Sequence, residues 1–242
     1  QLFAMAYPSV MAYDPAFAYE LAAIIENGLE RMYKNNEDLI YYITIGNQPM
    51  AMPERPKEVQ DGILKGMYRF KKSGKRKNKG KKVNLLGSGS IMKEVREAAE
   101  MLEEDFDIPA DIWSVTSYKL LYEDARDTER TNRLQGKKDK CYLQEQLGEA
   151  GETFVAASDW VKALPLSVAN WMPGDFTVLG TDGFGRSDTA PAMRRFFEVN
   201  AAHIAYAALA ALWRKGEVEK DTLKKFRKEH DISDKDNPAD MP

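Results

Sequence analysis

The stretch Val178-Leu179-Gly180-Thr181-Asp182-Gly183-Phe184-Gly185-Arg186-Ser187-Asp188 sets the architecture for the rest of the chain. A short apolar run, Phe176 to Leu179, reads as a buried strand that enters a loop with three glycines, and an Ala-rich helical pattern follows. Strand, loop and helix in that order mark the carboxyl end of a strand in an α/β sheet. Open α/β sheets place function at such ends, because loops there vary without disturbing the core. Gly183 and Gly185 admit backbone angles that other residues resist, which leaves Phe184 as a lone aromatic anchor. Its neighbours give it no cover, so the ring is expected to find apolar contact in its own domain or across a subunit interface. Asp182 and Asp188 flank Arg186 closely enough for one carboxylate to hold the guanidinium and fix the loop. A packed strand-to-helix corner is the plainer reading of the stretch, a ligand loop the sharper one.

The same grammar recurs upstream. Val83 to Leu86 reads as a buried strand, Gly87-Ser88-Gly89-Ser90 as its loop, and Ile91, Val95, Ala98, Ala99 and Leu102 as the apolar face of a helix. Backbone N–H groups of such a loop could cradle an anion, as in a nucleotide-binding domain. Met92 breaks the GxGxxG fingerprint and no Walker lysine pattern is present, so close packing of helix on strand is the plainer role. Ala110 to Val115 and Phe154 to Ala157 read as further strands, with Thr116-Ser117 capping a helix through Leu121 and another helix over Asp159 to Val168. Alternation of strand and helix implies an α/β fold with a parallel sheet.

Toward the N-terminus, Asp14-Pro15 reads as a cap and first-turn pair. Phe17, Leu21, Ile24, Ile25, Leu29 and Met32 then repeat at helical spacing, and Leu39 to Ile45 reads as a strand. Pro49 to Glu58 reads as a loop or interdomain crossing, and Gly62 to Phe70 as an extended segment. Residues 71–82 hold eight basic residues and no aromatic. A patch for nucleic acid or an acidic partner is one reading. A solvated hairpin tip is favoured, because the stacking side chains used on single strands are missing. Glu123 to Gly151 is polar and aperiodic, expected as loop and short helix. Ala190 to Trp213 reads as a long helix interrupted near Asn200, where Val199 to Ala205 could form a last short strand, and Val218 to Lys228 as a terminal helix.

Composition narrows the function classes. With 242 residues, 43% hydrophobic and 30% charged, the chain has the makeup of an ordinary soluble protein, and a net charge of −3 argues against wholesale nucleic-acid binding. The apolar runs look shorter than a membrane helix needs, so the cytoplasm is the expected setting. Cys141 alone makes neither a disulfide nor a CxxC motif. His203 lies in an Ala-rich apolar stretch and His230 in a charged tail, neither beside a nucleophile or metal constellation.

GTDGFGRSD followed by Met193-Arg194-Arg195-Phe196-Phe197-Glu198-Val199 resembles the C-terminal domain of the homodimeric pyruvate dehydrogenase component, a thiamine-diphosphate enzyme of the transketolase superfamily. Other similar strings stand in the same order: residues 9–20 (SVMAYDPAFAYE), 28–33 (GLERMY), 85–90 (LLGSGS) and 115–117 (VTS). The chain departs from the family where Glu129-Arg130-Thr131-Asn132 and Leu134-Gln135-Gly136 replace Glu-Arg-Trp-Asn and Leu-His-Pro.

The resemblance implies a three-layer α/β/α sandwich with a mostly parallel sheet, preceded by the tail of a second α/β domain. Residues 1–48 would be the tail of the pyrimidine-binding domain, 49–82 a linker with the basic segment, and 83–242 the transketolase C-terminal-like domain. It implies a homodimer that uses thiamine diphosphate and magnesium and acetylates the lipoyl group of dihydrolipoamide acetyltransferase. The groups that bind and activate the cofactor would lie upstream of Gln1, where the chain reads as cut from a longer protein. No catalytic, cofactor-binding or metal residue is therefore assigned here. Asp182, Gly183, Phe184, Gly185, Arg186 and Asp188, with Gly87, Ser88, Gly89 and Ser90, are expected as structural or interface loops.

Overall fold

The computed structural model describes residues 1–74 and 81–233. Its elements run β1 (Val10–Tyr13), α1 (Ala18–Leu29), β2 (Ile40–Ile43), α2 (Gln60–Lys65), β3 (Met67–Lys71), β4 (Val83–Gly87), α3 (Met92–Phe106), β5 (Ala110–Val115) and α4 (Tyr118–Gln135). There follow α5 (Tyr142–Leu147), β6 (Thr153–Ser158), α6 (Ala163–Leu166), β7 (Asp175–Gly180), α7 (Ala190–Phe196), α8 (Ala201–Arg214) and α9 (Lys220–Glu229).

Five strands form one sheet in the order β3-β5-β4-β6-β7, parallel throughout except for the antiparallel edge strand β3. All five residues of β4 and all six of β5 and of β6 are buried, as a sheet covered on both faces requires. Residues of α3, α8 and α9 pack on one face around Leu85, Ile112 and Val155, while α4, α5 and α6 pack on the other around Leu86, Trp113 and Phe154. The alternation of strand and helix in the sequence thus becomes the three-layer sandwich.

Four local expectations are corrected. Residues 123–135 are helix, continuous with α4, because the stripe Tyr118, Leu121, Tyr122 and Ala125 docks the first half on the sheet. The polar second half is free to project to its left-handed cap at Gly136. The stretch 62–70 is a short helix that turns at Gly66 into β3, which pairs with β5. Residues 201–205 open α8 and form no strand, because the Asn200 side chain accepts the His203 N–H at 3.0 Å and caps the helix. Between Asp159 and Val168 only Ala163–Leu166 is α-helical; the Trp160 N–H turns back onto Ser158 Oγ and its carbonyl accepts from Thr181 N, tying this loop to the end of β7.

The span Ala190–Arg214 is long and apolar enough to cross a membrane by length and composition, contrary to the first impression of short apolar runs. It is broken between α7 and α8, and Ile204, Ala205, Ala208, Leu209 and Leu212 lie in the core against α3 and the sheet.

β1 and β2 form a separate two-stranded parallel pair beside the main sheet. Polar pins hold it there. Glu20, fully buried on α1, accepts the Ala16 N–H at 2.6 Å and the Phe17 N–H at 3.0 Å, the Tyr68 hydroxyl of β3 at 2.7 Å and the Ser114 hydroxyl of β5 at 2.6 Å. Burial pushes its carboxyl up, and the four donors pull it back. The buried Lys119 ammonium donates to the carbonyls of Tyr7 and Val10 and pairs with Glu123 at 3.1 Å, while Ser117 Oγ donates to the Ala12 carbonyl at 2.6 Å. Only the inner face of α1 is covered: Ala23, Ile24 and Gly28 are buried, but Ile25 and Leu29 stand exposed, as do Tyr33 and, on β2, Ile40 and Tyr42.

Candidate functional site

Working outward from β4, the chain places β5 on one side and β6 on the other, so the order reverses between the carboxyl ends of β4 and β6. Open α/β sheets bind ligands in the crevice at such a switch point. A cleft of about 620 Å³ lies at this end of the sheet. Its lining joins five segments distant in sequence: Pro15 and Ala16 ahead of α1, Gly46 to Met52 after β2, Gly89 and Ser90 after β4, Asp159 to Val161 after β6, and Thr181 with Gly183 to Arg186 after β7. Met193, Arg194 and Phe197 close it from the α7 side.

The two loops singled out in the sequence therefore meet in one cleft. Gly183, Phe184, Gly185, Arg186, Gly89 and Ser90 line it; Asp182, Asp188, Gly87 and Ser88 do not. Asp182 serves the neighbouring loop, accepting the Lys162 N–H at 2.9 Å and pairing with its ammonium at 3.3 Å. Asp188 accepts the N–H of Thr189 at 2.6 Å, just ahead of α7. Arg186 lays its guanidinium 4.8 Å from the centre of the Phe196 ring.

Of the two placements expected for the Phe184 ring, in its own domain or across a subunit interface, the structure excludes the first. The ring is fully exposed, at the tip of a turn in which Gly183 (φ +84°) and Gly185 (φ +75°) both take left-handed backbone.

Behind the lining residues Gly89 and Trp160 lies Asp14, which does not itself line the cleft. Its Oδ1 accepts the Thr44 hydroxyl at 2.6 Å and its Oδ2 the Trp160 indole N–H at 3.1 Å. Desolvation raises the pKa of this carboxyl against the pull of its donors Thr44, Ser88 and Trp160. Asp14 lies four residues ahead of α1 and does not cap it; Glu20 does that from inside the helix. At Gly89 (φ +49°) a Cβ would sit 2.6 Å from the Asp14 carboxylate, so only glycine fits. The glycine loop thus encloses the chain's own carboxylate, and this close approach leaves no cradle there for a nucleotide diphosphate.

Asp159 accepts the Ser90 hydroxyl at 2.9 Å, closing the gap between the β4 and β6 loops. Arg194 clamps the seam from above, donating to Glu94 at 2.9 Å, to Gln48 at 3.2 Å and to the Ser90 carbonyl at 3.3 Å. Sequence reading missed Asp14, Gln48, Asp159 and Arg194 as partners, because their meeting depends on the docking of residues 1–52.

His203 is a local cap contact, its Nδ1 2.6 Å from Asn200 Oδ1, and burial together with the nearby Arg195 charge lowers its pKa to about 4. Of the basic run, Lys82 pairs with the fully buried Asp111 at 2.8 Å and Lys71 approaches Glu103 at 3.8 Å. Ser73 also donates to Asp111 from its N–H and hydroxyl. Both ends of the run are thus tied to the sheet, and the hairpin tip expected at its centre lies at 75–80, outside the described residues.

Comparison with known proteins places this geometry. Residues 66–200, more than half the chain, match the Transketolase-like TK C-terminal domain. The chain belongs to the transketolase C-terminal domain family. Residues 1–56 of this family member match the Pyruvate dehydrogenase E1 component middle domain. Among curated relatives, the Pyruvate dehydrogenase E1 component of Pseudomonas aeruginosa is 41% identical over 99% of the chain, and that of Escherichia coli K12 is 41% identical over 96%. The chain spans about a quarter of their length, 27% and 26%. Solved transketolases from Leishmania mexicana and Campylobacter jejuni superpose with a TM-score of 0.57 each, at 14% and 18% identity, over 88% and 85% of the chain and 27% of theirs. At that identity they show the fold alone, and the fold agrees with the three-layer reading.

Proposed function

We propose that this chain is the C-terminal part of a thiamine-diphosphate-dependent pyruvate dehydrogenase, which decarboxylates pyruvate and passes the acetyl group to the lipoyl arm of dihydrolipoamide acetyltransferase. The segment supplies scaffold and dimer support in a cytoplasmic homodimer. The observation that carries this reading is the end-to-end similarity to Pyruvate dehydrogenase E1 components, 41% over 99% of the chain.

In this reading the chain divides its labour in three parts. Residues 1–48 act as the tail of the pyrimidine-binding domain, 49–82 as a crossing that lends β3 to the second sheet, and 83–242 as the transketolase-like domain. Ile25 and Leu29 on α1, Tyr33 after it, and Ile40 and Tyr42 on β2 are exposed large apolar side chains against which the remainder of that first domain would pack. The loop from Asp182 to Asp188, with Phe184 at its tip, is assigned to the subunit contact.

Thiamine diphosphate and magnesium belong to the full-length enzyme in this reading. The residues here do not fit either group: no set of three His, Cys, Asp or Glu side chains among the described residues could hold the ion, and the glycine loop that might receive a diphosphate faces Asp14. No chemical step is therefore assigned to these side chains. Calorimetry tests the assignment. Titration of thiamine diphosphate and magnesium into this chain should give no saturable heat, and micromolar binding would move cofactor recognition into the segment and overturn the scaffold reading.

A further inference from the structure

Three features make the cleft more than a packing defect. It lies both at the switch point of the sheet and at the seam between residues 1–52 and the following domain, the two commonest places for a small-molecule site in such folds. Its volume, about 620 Å³, is that of a pocket for a compact organic molecule. Its lining also divides by chemistry, with apolar side chains on the wall and cations at the lip.

On the wall, Met50, Val161, Met193 and Phe197 give an apolar surface, and the two methionines adapt to the outline of a ligand. Lys93, Arg186 and Arg194 face the cleft against the single carboxylate of Asp159, in a chain whose net charge is −3. Arg194 is committed to Glu94 and the seam. Lys93 is half exposed and only 3.7 Å from Glu97, an ion pair of little strength that a ligand can outbid. Arg186 is held with its guanidinium 4.8 Å from the centre of the Phe196 ring, and its planar fork suits a carboxylate or sulfonate edge. Behind the lip, the loop residues Gly89 and Ser90 lead into the 15-residue helix α3, whose N-terminal end adds positive potential.

We propose that the cleft binds a small organic anion with an apolar body, its acid group held at the lip by Lys93 and Arg186 and its body against Met50, Met193 and Phe197. Such a ligand bridges the crossing segment and the β7 loop and so stiffens the seam between the two parts of the chain. The inference concerns the cleft alone and stands whether or not the parent enzyme is a pyruvate dehydrogenase.

The test titrates the chain with 2-naphthoate and, separately, with 2-naphthylmethylamine, which has a similar body and the opposite charge. Naphthoate is expected to bind saturably and the amine not to. Replacing Lys93→Gln and Arg186→Gln together should weaken naphthoate about tenfold, whereas Lys220→Gln, outside the cleft, should change nothing. Amide hydrogen exchange on the unaltered chain locates the ligand even if the double variant folds poorly: naphthoate should slow exchange at 88–92 and 181–186. Equal binding of the amine, undiminished binding to a folded double variant, or protection confined to the exposed α1 and β2 surface would each overturn the proposal.

Discussion

The seam and the β7 loop put similar residue types to opposite uses. At the seam, carboxylates and an ammonium are taken out of water and met by donors and acceptors: Glu20 by four, Lys119 by two carbonyls and Glu123. At the loop, an aromatic ring that could be buried is left wholly in water. Buried polar groups that are satisfied only when two segments dock specify how those segments meet. A large apolar side chain exposed on a left-handed turn finds no cover inside the chain, and in the proposed reading its counterpart is the other subunit. The seam's polar groups are satisfied within the chain, and the loop's ring is not covered there.

The largest effect should come from breaking the seam. Glu20→Ala strands two N–H groups and two hydroxyls in a buried site and should lower stability by on the order of 4 kcal/mol in urea unfolding. Glu20→Gln should recover part of it. A loss under about 1 kcal/mol would mean that the first segment is merely adjacent to the second domain.

Lys119→Met comes next. It removes the donor to two carbonyls of the β1 segment and leaves Glu123, which is partly exposed, so about 3 kcal/mol is expected. Exchange at β1 and β2 should accelerate before exchange in β4, since the latch rather than the core is opened.

The basic run divides the same way at smaller scale. Lys82→Ser takes the closest cation from the buried Asp111 carboxylate and should cost about 1–2 kcal/mol, while Lys72→Ser should stay within about 0.5 kcal/mol. A run read as a solvated hairpin tip is thus paired into the fold at its last residue. Desolvation pushes the Asp111 carboxyl up, but hydrogen bonds from Lys82 and Ser73 outweigh it and hold its pKa below the usual range. Asp111 thus stabilises the fold above the unfolded carboxylate pKa, and that contribution is lost as pH falls through the lowered folded value.

His203 gives a pH-dependent effect of opposite origin. Folded, it stays neutral down to about pH 4, whereas the unfolded side chain takes up its proton near pH 6.5. Between those values the unfolded chain binds more protons, so stability should fall as pH falls from about 6.5 toward 4. His203→Gln should flatten that part of the curve, and an unchanged slope would show that the ring is not held in its buried, neutral state.

What the sequence showed and what it hid divide along physical lines. Short apolar-rich runs such as Val83 to Leu86 and Phe154 to Ala157, bounded by turn residues, read as buried strands and are so, which made the sheet legible, while Phe176 to Leu179, read the same way, lies only half-buried in the edge strand β7. Ser117 declared a cap because a short side-chain oxygen before a helical pattern has one economical use, whereas Asn200 showed in the sequence only as an interruption and its cap emerged with the structure. The second half of α4 was hidden because it faces water and needs no apolar stripe. The cleft was half legible: its glycine loops stood out, but Asp14 looked like a helix cap, and its contacts with Thr44 and Trp160 span 30 and 146 residues. Nothing local signals a partner at such distance. Phe184 stood out as a lone aromatic between glycines, but nothing local told that its ring would be left exposed.

The loop is the smallest effect on this chain and the most direct test of the account. Phe184→Ala should leave its unfolding midpoint nearly unchanged, within about 0.5 kcal/mol, because the ring touches water alone. The decisive measurement is made in the full-length enzyme carrying the same substitution, with activity followed against protein concentration beside sedimentation. If the loop acts through assembly, activity is low when dilute and returns as concentration restores the dimer. Activity that stays low where sedimentation shows an intact dimer would contradict the account and place the loop in the chemistry itself.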